Sequence, residues 1–417
     1  MPPRLFIDCS ETYKINLISG IQRVVRNIIE RRELITKELG VEVIPVVFDK
    51  DRYIRLDEFL KTKSKVNLKE ISKGIIKSKI KDERIYSILK SIYLKAKLIR
   101  SYFLYFRKNI IPKEEGLFKS SDILLMIDIY WNPEYECFCY KNIISELKRN
   151  KVKIINLVYD VLALENPNYV MKYFFKQLYN SFYYMLSYTD CILTISKSEK
   201  IHIENYLRSI NVEKEVDYFY LGSDFASKKI DENKLKELEK FTPYFLMVGT
   251  IEPRKGYDVA FDAFEKLWEK GFDKNLVIVG KVGWMVDELI AKMKNSKFYD
   301  KKLFILNSVP DDFLQGFYIK SKAVICASRR EGFGLPVIEA MHYKKPLITT
   351  DIDMFREIGG DYPVYFKCGD SDDLIRAIFD LENYSFDYKE KSFKPLTWDE
   401  SVLMMCDKLK EIIADAG

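Results

Sequence analysis

Histidine is nearly missing from this chain of 417 residues, with only His202 and His342. Both fall in helical patterns without matching partner spacing, so neither a zinc site nor another metal site is expected. Cysteine is sparse. The seven residues stand singly apart from Cys137 and Cys139, and no C-x2-C pair occurs. That count and scatter read as reduced, buried thiols in a cytosolic setting. No uncharged run reaches the roughly 18 residues needed to span a bilayer. Met1-Pro-Pro-Arg4 runs straight into an apolar strand, so no secretory leader is expected. An excess of one charge is also lacking, since 68 basic against 62 acidic residues leave a net +6. Such a balance suits small acidic partners or anionic lipid and does not argue for nucleic-acid binding.

Apolar residues are plentiful, at 47%. At this length they exceed what one typical core holds, and two domains are expected. Arg4–Asp8 reads as a strand, and Ile21–Glu30 as a helix with apolar residues at Ile21, Val24, Val25, Ile28 and Ile29. Val41–Phe48 is the next strand. Strand, helix, strand at this spacing predicts a parallel, doubly wound α/β sheet. Further strands are read at 122–128 and 153–160. Ligands collect beyond the carboxyl ends of strands in such sheets, which makes Asp128, Trp131 and Asp160 candidate site residues. Residues 226–242 are polar and read as a linker. Strands at 244–249, 275–280, 303–309, 322–327 and 345–350 then build a second sheet.

Residues 61–113 stand apart, with sixteen Lys and Arg against three acids, interleaved with Ile, Leu, Tyr and Phe. The pattern reads as one or two basic amphipathic helices. One reading lays them on an anionic membrane surface, with basic stems snorkelling and aromatics in the headgroup region. The other packs them as a solvated hairpin on the first domain.

The most specific stretch is Ser328-Arg-Arg-Glu331-Gly-Phe-Gly-Leu-Pro-Val-Ile-Glu339-Ala-Met341. A strand runs into a Gly-x-Gly turn and a helix with Pro336 in its first turn. Such a turn aims backbone N–H groups and a positive helix end at an anion. A second stretch, Gly249-Thr-Ile-Glu252-Pro-Arg254-Lys255-Gly256, places an Arg fork and a Lys point charge on one loop, a pairing suited to a diphosphate.

These two stretches closely resemble retaining glycosyltransferases of family 4, which have the GT-B fold. The resemblance covers most of the chain, strongest over 244–360 and weakest over 51–120. It implies two doubly wound Rossmann-like domains facing a central cleft. The first would span 1–225, with a basic insertion at about 51–120 and the C-terminal helix 397–417 packed back on it. The second would span 240–396 and bind a nucleotide diphosphate sugar.

By the same resemblance, Glu331 faces the donor sugar and Glu339 the ribose. Gly332, Phe333, Gly334 and Leu335 offer backbone N–H groups to sugar and diphosphate. Arg254 and Lys255 neutralise the phosphates, Gly249 and Thr250 complete their loop, and Val309 lies beside the nucleobase. The stretch Ser19-Gly20-Ile21-Gln-Arg23-Val-Val-Arg26 resembles a first glycine loop near diphosphate and acceptor. Leu157-Val-Tyr159-Asp160 resembles a segment that usually reads His-Asp. With Tyr159 in the histidine's place, weight shifts to Asp160.

The implied activity is sugar transfer with retention, without metal or cofactor, mannose from GDP-mannose being the first choice of donor. The acceptor would be a glycan or a lipid-linked glycan in surface-polysaccharide synthesis, handled in the cytoplasm at the inner face of the membrane. Rhamnosyl or UDP-sugar transfer, a GT-B epimerase or hydrolase, and a non-catalytic nucleotide-sugar-binding scaffold are the alternatives.

Overall fold

The computed structural model describes residues 3–15, 20–49, 51–63, 117–129, 138–224, 232–307, 309–383 and 395–414. Two sheets organise it. The first holds β1 (Leu5–Asp8), β2 (Val43–Asp49), β3 (Arg52–Arg55), β4 (Ile123–Met126), β5 (Lys153–Leu157), β6 (Cys191–Thr194) and β7 (Glu215–Tyr218). Its order is β3-β2-β1-β4-β5-β6-β7. Every pair is parallel except β2 with β3. The second holds β8 (Tyr244–Val248), β9 (Asn275–Val279), β10 (Leu303–Leu306), β11 (Ala323–Cys326), β12 (Leu347–Thr350) and β13 (Val364–Phe366), in the order β10-β9-β8-β11-β12-β13, all parallel. The expected α/β architecture of two doubly wound, Rossmann-like sheets is therefore present. Central strands such as Ile123–Met126 and Ala323–Cys326 are buried along their whole length. This is why they read as continuous apolar runs rather than as alternating patterns.

The helices that bear on function are numbered here in chain order. They are α1 (Gly20–Glu30), α2 (Arg32–Leu39), α3 (Lys197–Ser209), α4 (Tyr257–Glu269), α5 (Asp311–Lys320), α6 (Leu335–His342), α7 (Asp353–Gly359) and α8 (Trp398–Ala414). In α1 the apolar repeat turns Val24, Val25, Ile28 and Ile29 into the core. The last helix, α8, buries Trp398, Val402, Met405, Cys406 and Leu409. It is tied to the first sheet's layer by Arg31 to Asp399 at 2.6 Å, Lys410 to Glu38, and Lys153 Nζ to the Ile412 carbonyl at 3.0 Å.

Within the polar stretch 226–242, read as a linker, the described residues 232–242 are folded. Residues Glu232–Glu237 form a helix and Glu239–Phe241 a single 3-10 turn. Leu238 and Phe241 between and within them are buried. Their few apolar side chains sit at the right places to dock on α5, a signal that composition averages away. The stretch read as an insertion at about 51–120 also has regular structure at its described ends. Residues 52–63 supply an antiparallel edge strand and a helix, and Phe118 packs on Phe6 with ring centroids 4.3 Å apart. The basic stretch from 64 to 113 lies outside the described residues.

Candidate active site

Each sheet has a point where its strand order reverses, between β1 and β4 in the first and between β8 and β11 in the second. Crevices beyond such points are the common ligand sites of this architecture. The loop 249–256 leaves the carboxyl end of β8, and 327–334 leaves that of β11. The two loops are thus neighbours by topology.

Their contact is close because of glycine. Gly256 has φ +67, and a Cβ there would fall 2.0 Å from the Ala327 carbonyl oxygen. Only a residue without a side chain lets the cationic turn lie on the end of β11. Backbone and side-chain bonds then stitch the loops. The Arg329 amide donates to the Arg254 carbonyl at 2.7 Å, and the Arg329 guanidinium grips Asp258 at 2.9 and 2.6 Å.

The buried carboxylate of Glu331 is the focus. Arg254 Nη1 donates to Oε2 at 2.8 Å, while Lys255 Nζ and Ser328 Oγ, the latter at 2.6 Å, donate to Oε1. Burial alone would raise the Glu331 pKa, but Lys255 and Arg254 outweigh it and hold the group down at about 2. Glu331 is therefore a permanent anion and a pure hydrogen-bond acceptor. Arg254 Nη2 also meets Glu252 Oε1 at 2.8 Å. Burial opposes its charge, yet Glu331 and Glu252 more than compensate and raise its pKa. Glu252 itself is pushed upward by burial, against the pull of the two cations. A small cavity opens here, lined among others by Val248, Lys255, Ser328, Glu331, Gly334 and Phe355.

Glu339, one helical stretch later on α6, is also buried. Tyr318 donates its hydroxyl to Oε2 at 2.6 Å, and Arg23 pairs with Oε1. The thiol of Cys326, at the end of β11, is raised by burial and then by Glu331 and Glu339 together, with Lys255 pulling the other way. Both carboxylates therefore act on one point at the end of β11.

The first sheet supplies the opposite wall. A Cβ on Gly332 would lie 2.7 Å from the Tyr159 carbonyl oxygen and 3.2 Å from Asp160 Cβ, so the glycine turn rests against the loop after β5. Ser196 Oγ donates to the Gly332 carbonyl at 3.0 Å. The Lys197 and Ser198 amides, at the start of α3, each donate to Glu357 of α7 at 2.7 Å. Arg330 reaches Glu199 at 3.1 Å and Glu165 at 3.4 Å. Trp284 Nε1 donates to the Tyr169 carbonyl at 2.7 Å.

The structure thus brings Glu331, Arg254 and Lys255 into direct contact, with Asp160, Gly332 and Gly334 adjoining. Asp160 also accepts the Leu162 amide at 3.2 Å and so caps its own loop. Gly249 has its carbonyl held by the Tyr257 hydroxyl at 2.7 Å, with Thr250 beside it. Phe333 is buried near Tyr220, and Val309 is half-buried against the core. Gly20 lies near Leu335, its added Cβ 3.7 Å from Leu335 Cδ1. Ile21 packs on the core beside it.

Arg23, expected at a phosphate or acceptor, pairs with Glu339 across the two sheets. Asp128 is buried, accepting the Thr12 and Ile129 amides at 2.6 and 2.9 Å. Burial lifts its pKa to about 6. Trp131 lies outside the described residues. Tyr159 sends its hydroxyl to the Ile127 carbonyl at 2.7 Å, into the core rather than the cleft.

Glu252, Ser328, Tyr318, Glu199 and Arg330 were not anticipated as site neighbours. Glu252, Ser328 and Arg330 stand inside the two quoted stretches and could have been suspected. Tyr318 and Glu199 look like ordinary helix residues and carry no sequence signal.

The family profile described as Glycosyl transferases group 1 matches residues 228–392. The "Serotype-specific mannosyltransferase WbdA" of Escherichia coli is 27% identical over 433 residues, covering 97% of this chain and 50% of the relative. The "O-antigen chain mannosyltransferase RfbU" of Salmonella typhimurium is 30% identical over 223 residues, covering 52% of this chain and 58% of the relative. The chain spans about half the length of these curated mannosyltransferase relatives. Among solved structures, sucrose-phosphate synthase from Thermosynechococcus elongatus superposes with TM-score 0.56 at 14% identity, covering 99% of this chain and 94% of that one. It shares the two-sheet fold.

Proposed function

We propose that this chain, whose residues 228–392 match the profile described as Glycosyl transferases group 1, transfers a sugar from a nucleotide diphosphate donor, with retention at the anomeric carbon. The observation that carries this reading is the cluster of Arg254 and Lys255 on Glu331 at the switch point of the second sheet. Two cations face one firmly ionised carboxylate and one whose pKa burial raises. Both cationic side chains stay partly exposed and can offer positive charge to a diphosphate, so the charge that builds on the leaving group is met by groups already in position. Arg254 and Lys255 supply that positive charge, so the reading requires no metal ion.

Glu331, ionised throughout the physiological range, suits the role of accepting hydrogen bonds from donor hydroxyls. It does not suit that of a proton donor. In the front-face step, the bond from anomeric carbon to diphosphate oxygen breaks and the bond to the acceptor oxygen forms on the same face. The acceptor's proton passes to the leaving diphosphate. Glu339 takes the ribose, and the amides of Gly332 to Leu335 take the sugar and phosphate oxygens. Gly20, Ile21, Asp128 and Trp131 belong to the acceptor side, and Asp160 lies between the two.

Mannose from GDP-mannose is the first choice of donor, supported by the mannosyltransferases among the relatives. A glycan or lipid-linked glycan of surface polysaccharide is the acceptor class. Among the described residues no helix is long and apolar enough to cross a membrane, so an acceptor on a lipid would be met from the membrane face. Incubating the protein with GDP-mannose, UDP-sugars and dTDP-rhamnose, each with and without lipid-linked glycan, tests the reading. Nucleotide release that depends on acceptor, with an α-linked product from an α-linked donor, is expected. Inversion, or turnover of the donor alone to an epimer or free sugar, would refute transfer with retention.

A further inference from the structure

We propose that Tyr318 is a positioning residue for the nucleotide ribose, holding one oxygen of Glu339 so that the other is presented to the ligand. The inference rests on the reading of Glu339 as the ribose carboxylate. Tyr318 is fully buried on α5, and its ring lies stacked on Tyr343, with centroids 5.6 Å apart and an interplanar angle of 14°. Its helix is pinned at the same end by the Tyr244 hydroxyl, which donates to the Phe317 carbonyl at 2.8 Å. The Ser321 hydroxyl donates to the Tyr318 carbonyl at 2.8 Å. The phenol therefore has little freedom to follow a moving partner. At 2.6 Å its hydroxyl makes a short, charge-assisted bond to Oε2.

A Glu carboxylate turns easily about its last torsion, whose preference is broad. Fixing Oε2 removes that freedom and sets the direction in which Oε1 faces. Oε1 is held by Arg23, which comes from the opposite sheet. A ribose hydroxyl entering the cleft shares that oxygen or replaces the guanidinium there. The Tyr318 contact also couples α5, which follows the loop expected beside the nucleobase, to the carboxylate expected at the ribose. One helix thereby bears on both halves of the nucleoside.

Titration calorimetry of the full chain with GDP and UDP, and with their 2′,3′-dideoxy forms, tests the proposal. Wild type is expected to bind one ribonucleotide more tightly than its dideoxy form. Tyr318→Phe should weaken the ribonucleotide about tenfold, the scale of one hydrogen bond to a charged group. It should leave the dideoxy form within about twofold, so that the ratio between the two collapses. Should the Phe variant not fold, Tyr318→Met also deletes the hydroxyl and is read the same way. Equal weakening of both ligands would mean a packing role only and would overturn the proposal, as would an unchanged ratio. Wild-type binding of neither GDP nor UDP would instead bring down the donor-site reading itself.

Discussion

Lys255 and Arg254 illustrate how one cation pair can serve two purposes. Both neutralise Glu331, and both remain partly open to the cleft, with side chains 15% and 20% exposed. Lys255→Ala should lower kcat by about 10² to 10³, equivalent to about 2.7–4 kcal/mol of barrier, the effect of losing one preorganised donor. Donor turnover at saturating acceptor measures it, and unchanged turnover would remove Lys255 from the mechanism. Gly256 tests the scaffold of the same loop. Gly256→Ala adds a methyl at a positive φ and 2.0 Å from a carbonyl oxygen. The loop must shift, and a loss of at least about 1 kcal/mol in stability is expected, read from denaturant midpoints. A fall in turnover should accompany it, because the cations move with the loop.

At the scale of elements, α3 is the main bridge between the sheets. Its first turn donates two amide N–H groups to Glu357, and its Glu199 faces Arg330. Burial pushes the Glu199 pKa up to about 8, with Arg330 pulling downward. The folded state therefore holds a proton that the unfolded chain releases near pH 4.3. Between those values the folded state binds more protons, so stability falls as pH rises, by up to about 1.4 kcal/mol per pH unit, and levels off above about 8. Glu199→Gln should flatten this slope. Denaturant midpoints at pH 5.5 and 8.5 give the comparison, and a slope identical to wild type would show that Glu199 is ionised throughout.

For the whole molecule, the last helix matters as much as the site. Trp398 is buried where α8 begins, and a Cβ on Gly222 would lie 2.5 Å from its backbone. Trp398→Ala leaves a large cavity beneath the helix, and about 3–5 kcal/mol of stability should be lost. Chemical unfolding would show this as a lower midpoint. A midpoint unchanged from wild type would mean that α8 contributes little to holding the halves together.

Much of this was legible in the amino acids alone. Apolar runs of strand length marked most of the described strands, since a strand buried on both faces needs little else. The glycine turn with Glu331 and the Arg254-Lys255 loop were visible because their chemistry is local: a turn, a helix start and adjacent charges lie within a dozen residues. The edge strand β3 and the folded stretch 232–241 were missed, because their few apolar residues acquire meaning only against a docking surface. Arg23 on Glu339, Tyr318 beneath it and Glu199 facing Arg330 join residues far apart in the chain. Local pattern sets which segments become strand, turn and helix, because backbone geometry and solvent exclusion act over a few residues. Which charge answers which, and how far burial moves a carboxyl, was decided only when the two sheets closed on one another and removed the water between them.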